Sequence, residues 1–193
     1  MAETPSTMLP LGTAAPEFEL PDPSGKIYRK SEFQGSPLLV AFICNHCPFV
    51  KHVADKLAEA ATYYRTRGVE VVFISSNDVE SHPQDAPDKM AEFARERGIT
   101  VPYLYDETQE VAKAYHAACT PDFFLFDKDH KLVYRGQFDA ARPGNGAPVT
   151  GKDLTAAVEA VAEGKRPAEN QRPSAGCNIK WKPGNEPGFA TIG

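Results

Sequence analysis

Pro37-Leu38-Leu39-Val40-Ala41-Phe42-Ile43-Cys44-Asn45-His46-Cys47-Pro48 is the stretch that decides the fold. From Leu38 to Ile43 every residue is apolar and nothing alternates, which suits a strand buried on both faces of a helix-covered sheet. Beyond Pro48 the pattern changes to Val50, Val53, Ala54, Leu57, Ala61 and Tyr64, the spacing of a helix with one apolar face, and Gly68 supplies a stop. A strand therefore runs into a helix, and two cysteines occupy the junction.

Working outward, residues 69–75 form a second β-rich run, which implies parallel pairing through a right-handed crossover. Met90, Phe93 and Ala94 mark a short helix closed by Gly98; residues 101–105 read as a strand and 109–115 as a short helix. Residues 122–126 and 132–134 read as an antiparallel hairpin turning at 127–130. Thr150-Gly151-Lys152-Asp153 resembles a capping box opening a helix that buries Leu154, Ala157, Val158 and Val161. Upstream, residues 18–20 and 27–28 flank the turn Pro21-Asp22-Pro23-Ser24-Gly25 as an N-terminal hairpin. The expectation is one α/β domain with a mixed central sheet, at residues 16–164. A flexible arm (1–15) precedes it, and an extended tail packed on the domain (165–193) follows.

The chain has 193 residues, 41% of them apolar and 24% charged, enough for a packed core. A net charge of −5 without a Lys/Arg-rich run argues against nucleic acid and against an anionic membrane as partners. No apolar stretch approaches the roughly 20 residues that span a bilayer, and residues 1–11 lack the pattern of a secretory leader, so a cytoplasmic location is expected. Four cysteines are too few for a disulfide scaffold, which leaves chemistry or metal as their use.

Pro48 suits a helix's first turn, where its missing N–H is no loss. The free N–H groups and positive end of that helix then face the sulfurs and favour a thiolate, which lowers a cysteine pKa from about 8.5 into roughly 3.5–7.5. On this reading Cys44 is the exposed nucleophile with a lowered pKa, and Cys47, inside the helix, is the shielded resolving thiol. His46 as a cation favours the neighbouring thiolate, and Asn45 adds a polar donor. Thr120-Pro121, at the entrance of the strand 122–126, reads either as an edge device or as a cis-proline loop beside the cysteine pair.

Phe42 through Val50, followed by Thr120-Pro121-Asp122-Phe123-Phe124-Leu125-Phe126-Asp127, resembles a thioredoxin-fold protein. Within that superfamily the chain is similar to the peroxiredoxin-like, AhpC/TSA-related group. Ala15-Pro16-Glu17-Phe18-Glu19-Leu20 and Pro173-Ser174-Ala175-Gly176-Cys177-Asn178-Ile179-Lys180-Trp181 resemble the start and tail of the same group. The resemblance implies a thiol–disulfide role and a cis bond before Pro121. Two departures stand out. Ala41 or Cys44, depending on register, replaces the threonine that peroxiredoxins carry three residues before the peroxidatic cysteine. The strand 38–43 also contains no buried acid, which leaves His46 or water to move protons.

Cys119, just before Thr120, and Cys177, in the tail, are candidate accessory thiols, with buried inert cysteine as the plain alternative. His52 is expected to face solvent, and His82, His116 and His130 have no visible partners. The leading function is a thiol–disulfide oxidoreductase acting on disulfide-bearing proteins or small thiols, re-reduced by thioredoxin reductase or glutathione. The backbone before Pro121 would pair with a substrate strand. The Cys44–Cys47 disulfide is then the only redox group, with no further cofactor and no metal. Two alternatives remain: a Cu(I) or Zn²⁺ module built on Cys44, Cys47 and His46 or Cys119, and a thiol peroxidase working through Cys44.

Overall fold

The computed structural model describes residues 3–190. In chain order the elements are β1 (Thr4–Pro5), β2 (Glu19–Pro21), β3 (Ile27–Arg29), β4 (Leu38–Phe42), α1 (Pro48–Thr66), β5 (Glu70–Ser75), α2 (Pro87–Arg97), β6 (Tyr103–Tyr105), α3 (Glu110–Ala114), β7 (Cys119–Thr120), β8 (Asp122–Phe126), β9 (Leu132–Tyr134), α4 (Lys152–Ala162) and β10 (Ala175–Asn178).

β4 is the middle strand of a five-stranded sheet ordered β6-β5-β4-β8-β9. It pairs in parallel with β5, Leu39 facing Val71, and antiparallel with β8, Phe42 facing Asp122. Its side chains alternate between two cores, as the pleat requires. Leu39 and Ala41 pack with Val50, Val53 and Leu57 of α1 and with Leu154 and Val158 of α4. Leu38, Val40 and Phe42 pack with Val111 and Ala112 of α3 and with Tyr115. Covering both faces explains the uninterrupted apolar run, and each fully buried Leu or Phe stabilises the fold by about 1.5–3 kcal/mol. A hydrogen bond of 2.7 Å between Tyr64 and Thr155 joins α1 to α4 on the first face. Among the described residues, no helix is long and apolar enough to cross a membrane.

β2 and β3 form the separate N-terminal hairpin, its turn closed by the Asp22 carboxylate, which accepts the Ser24 and Lys26 N–H groups. A third, small sheet is ordered β1-β10-β7 and lies where the strands deliver the cysteines.

That small sheet corrects the expectation of a flexible arm. Thr4 and Pro5 pair with Gly176 and Ala175, and the Ser6 N–H donates to the Ser174 carbonyl. Leu9 and Ala15 are buried, and the Gly12 N–H donates to Leu132. The segment stays because its backbone groups find partners in the tail and on β9, which no local apolar pattern reveals. Residues 1–2 of the expected arm and 191–193 of the expected tail lie outside the described residues.

The expected capping box is also corrected. Asp139 accepts the N–H groups of Thr150 and Gly151 at 2.8 and 2.7 Å, while Asp153 instead accepts Gln137. Gly151 is left-handed, with φ 68°, and a side chain there would strike the Phe138 ring. A carboxylate distant in sequence therefore leads into α4.

Gly176 permits the tail to approach the domain. A Cβ built on it would lie 1.9 Å from the Thr120 carbonyl oxygen, a backbone atom that cannot swing away. Gly176→Ala should therefore lose about 1–3 kcal/mol in urea unfolding. Gly188→Ala, where a Cβ meets nothing within 4 Å, should leave stability unchanged.

Candidate functional site

The C-terminal end of β4, the N-terminus of α1, a 3-10 turn at Pro83–Asp85, the β7 segment and β10 converge on Cys44 and Cys47. α1 opens at Pro48, so Cys47 is its N-cap and Pro48 its first residue. The Thr120–Pro121 bond is cis. The Cys44 sulfur lies 3.6 Å from the Thr120 hydroxyl and 3.9 Å from His46 Nδ1. The Cys47 sulfur lies 3.4 Å from the Thr120 carbonyl oxygen, to which its thiol form donates. One residue thus touches both sulfurs, and its hydroxyl sits beside Cys44 although Ala41 offers none.

Cys44 and Cys47 are both fully buried, which corrects the expected exposed Cys44. The lowered pKa also falls on Cys47 and not, as expected, on Cys44. Burial pushes the Cys44 thiol well up, and its donation to Cys47 and the nearby Asp85 charge push the same way. Cys47 is held down to about 2, chiefly by the Cys177 thiol and then by that of Cys44, both donating to it against the penalty of burial. The start of α1 works in the same direction. The helix opens one residue after Cys47, so its positive end is centred on Cys47 rather than on Cys44.

Cys177 therefore belongs to the site. β10 sets Cys177 opposite Thr120, and the Cys177 thiol is raised above its ordinary value, first by donating to Cys47 and then by burial. Cys119 does not join. It is fully buried, its sulfur is 3.6 Å from the Pro121 carbonyl, and burial and Asp122 hold it protonated.

His46 is braced by a residue the motif does not announce. Asp85, from the 3-10 turn, accepts His46 Nδ1 at 2.5 Å and the N–H groups of Asn45 and His46 at 2.8 and 3.2 Å. Asn77 donates to the same carboxylate at 3.0 Å. Burial works against the Asp85 charge, but the bonds from His46, Asn77 and Asn45 hold its carboxyl below the ordinary range. Asn45 accepts from the buried Tyr103 hydroxyl at 2.8 Å and donates to the Gln84 carbonyl. His82 stacks on His46 with ring centres 5.0 Å apart.

The other histidines are satisfied by distant partners or exposed. His116 stacks on Phe189, while buried His130 accepts Lys30 and faces the carbonyls of Phe33 and Ser36. His52 is exposed. The sequence held no local signal for Asp85, a polar residue in a polar stretch. Asp122 did have one, as a charge at the head of an apolar strand. It is wholly buried, and burial raises it to about 7 although the Ala118 N–H opposes the shift.

The Cys44 sulfur, the His46 ring and the Asp85 carboxylate lie within 4.8 Å of one another. Both Asp85 oxygens, however, are already engaged by protein N–H groups. The arrangement is that of a carboxylate–imidazole brace, and neither Cys47 nor Cys119 adds a ligand to it.

The AhpC/TSA family model matches residues 11–135. A Mycobacterium tuberculosis protein provisionally named a peroxiredoxin is 31% identical over 173 residues, covering 79% of this chain and 99% of its own. The thiol-disulfide oxidoreductase ResA of Geobacillus kaustophilus is 28% identical over 129 residues, 67% of this chain and 70% of the relative. A crystal structure of a hypothetical protein from Sinorhizobium meliloti superposes with a TM-score of 0.92 at 50% identity, covering 94% of this chain and all of that one. The thioredoxin domain of a Bacteroides vulgatus thiol-disulfide oxidoreductase, at 18% identity, superposes with a TM-score of 0.56 over 66% of this chain and 88% of its own. The fold is thioredoxin-like.

The two acids predict opposite pH effects. The lowered Asp85 contributes stability that is present above 3.8 and lost as pH falls through its folded value. The raised Asp122 favours the fold below 3.8, and that advantage is lost as pH rises through about 7. In thermal melts, Asp85→Asn should flatten the acid limb of stability against pH. Asp122→Asn should flatten the decline toward alkaline pH.

Proposed function

The chain belongs to the AhpC/TSA family, and from that membership we propose that it is a thiol–disulfide oxidoreductase whose working couple is Cys44 and Cys47. The observation that carries the reading is the convergence of both sulfurs on Thr120 at the head of α1, 3.6 and 3.4 Å from its hydroxyl and carbonyl oxygens. The thiolate at the N-terminus of α1 is Cys47, which serves as the nucleophile that resolves the mixed disulfide.

In the reduced pair one proton is shared: Cys44 donates to the Cys47 thiolate. Cys44 neighbours His46, which reaches solvent with 19% of its side-chain surface exposed, so a substrate disulfide approaches from that side. As Cys44 attacks one substrate sulfur, its proton passes to the substrate sulfur that departs. A mixed disulfide forms, and the first substrate half leaves as a thiol. The Cys47 thiolate then attacks the Cys44 sulfur, closing the Cys44–Cys47 disulfide and releasing the second substrate thiolate. Two electrons have moved from the pair to the substrate. The substrate is a protein or small-molecule disulfide, and an upstream thiol reductant such as glutathione restores the pair.

Turnover of a model disulfide tests this. Cys44→Ser and Cys47→Ser should each fall to the uncatalysed rate, while Cys119→Ser keeps turnover. Full activity in Cys44→Ser would overturn the reading. The potential of the couple sets its direction: roughly −270 mV marks a reductant and roughly −120 mV an oxidant.

Peroxide reduction is a second reading, favoured by the Thr120 hydroxyl beside Cys44. Peroxide consumption that survives Cys47→Ser but not Cys44→Ser would support it. No consumption by the wild type would remove it.

A further inference from the structure

Cys47 stands between two other thiols. Cys44 donates to it from the end of β4, and Cys177 donates to it from β10. The strand that carries Cys177 occupies a particular place. β10 pairs antiparallel with β7, Cys177 opposite Thr120 and Asn178 opposite Cys119, on the backbone immediately before the cis Pro121. That edge was expected to receive a substrate strand; it is filled by the chain's own tail.

The placement is specific. The Cys47 sulfur is 3.4 Å from the carbonyl of Thr120, the residue that Cys177 faces in register. Gly176 lets β10 press against that same carbonyl, where a Cβ would be 1.9 Å away. Ser174 donates to the Pro121 carbonyl at 2.6 Å, and the Ile179 N–H donates to Ala118, so bonds on both sides hold Cys177 in place. Cys177 is 2% exposed. β10 thus adds to this edge as a strand, and its thiol lies on the active pair.

We propose that Cys177 is a third redox thiol, which exchanges with the oxidised pair by attacking the Cys47 sulfur. The Cys44–Cys47 bond breaks, a Cys47–Cys177 bond forms, and the proton lost by Cys177 ends on the departing Cys44 sulfur. The exchange needs no outside oxidant or reductant, because one disulfide and one thiol stand on each side. It rests on the reading of Cys44 and Cys47 as a redox couple. Its result is that the oxidising equivalent is held between the tail and α1 while Cys44 becomes a free thiol again. Cys119, turned toward the Pro121 carbonyl, takes no part.

The test is disulfide mapping of the full-length protein after oxidation with diamide, acid quench, alkylation and non-reducing digestion. The wild type should yield two linkages, a Cys44–Cys47 disulfide within one peptide and a Cys47–Cys177 bond joining two. Cys44→Ser should yield Cys47–Cys177 alone, and Cys177→Ser should lose that species while keeping Cys44–Cys47. Because the wild type reports the second linkage by itself, the result does not depend on either variant folding. If the wild type forms only Cys44–Cys47 and Cys44→Ser leaves Cys47 and Cys177 open to alkylation, the exchange is overturned and the redox couple stands. If the wild type forms no Cys44–Cys47 linkage, the couple itself is overturned and the exchange falls with it.

Discussion

The sulfur of Cys47 is a shared acceptor, and the arrangement of three structural pieces depends on it. Cys44 comes from the central strand, Cys177 from the tail, and Cys47 itself caps the longest helix. A buried thiolate without donors would be expensive. Two thiols, the N-terminus of α1 and the Val50 N–H supply what water would otherwise supply. The geometry meets that requirement: β4 ends where α1 begins, and β10 lies close enough for its thiol to reach. The glycine beside Cys177 and the serine bond to Pro121 serve that closeness.

The second constraint is electrostatic. Asp85 sits fully buried near a thiol pair that carries negative charge, which by itself would be unfavourable on both sides. Four N–H donors, two from the backbone and one each from His46 and Asn77, surround its carboxylate. The carboxylate in turn fixes the His46 ring beside Cys44, and the stacked His82 limits its movement. The same charge raises the Cys44 thiol, so the brace that orients the imidazole also helps keep the resting proton on Cys44 and the resting charge on Cys47.

Much of this was legible in the sequence because it is local. The apolar run 38–43, the helical spacing from Val50 to Tyr64 and the Pro48 signal together place the cysteine pair, and a strand buried on both faces leaves little freedom in how its neighbours pack. Thr120-Pro121 could be marked from its position at a strand entrance. What could not be read is what depends on distant contacts. Asp85 meets His46 across 39 residues, Asp139 receives the N–H groups of Thr150 and Gly151 ahead of α4, and the arm from Thr4 finds its partner at residues 175–176. That the lowered pKa falls on Cys47 rather than Cys44 has the same origin. Spacing alone says that a helix opens nearby, but the residue on which it opens, and the third thiol that joins, are set by packing.

The tail's position also decides which events at the site are easy. For a foreign strand to pair with β7, β10 must first leave. That breaks its backbone pairing with Cys119 and Thr120, the Ser174 bond to Pro121, the Ile179 bond to Ala118, and the bonds from the Lys180 segment to Asn77, Asp78 and Gln109. At about 0.5–1.5 kcal/mol for each such bond, together with re-exposure of Ile179 and Cys177, displacement costs several kcal/mol before any substrate contact is made. Approach to Cys44 past His46 leaves all of those bonds intact. The proposed exchange between Cys47 and Cys177 starts from β10 already paired on β7. On the proposed chemistry, substrate therefore reaches Cys44 from the imidazole side, while β10 occupies the β7 edge.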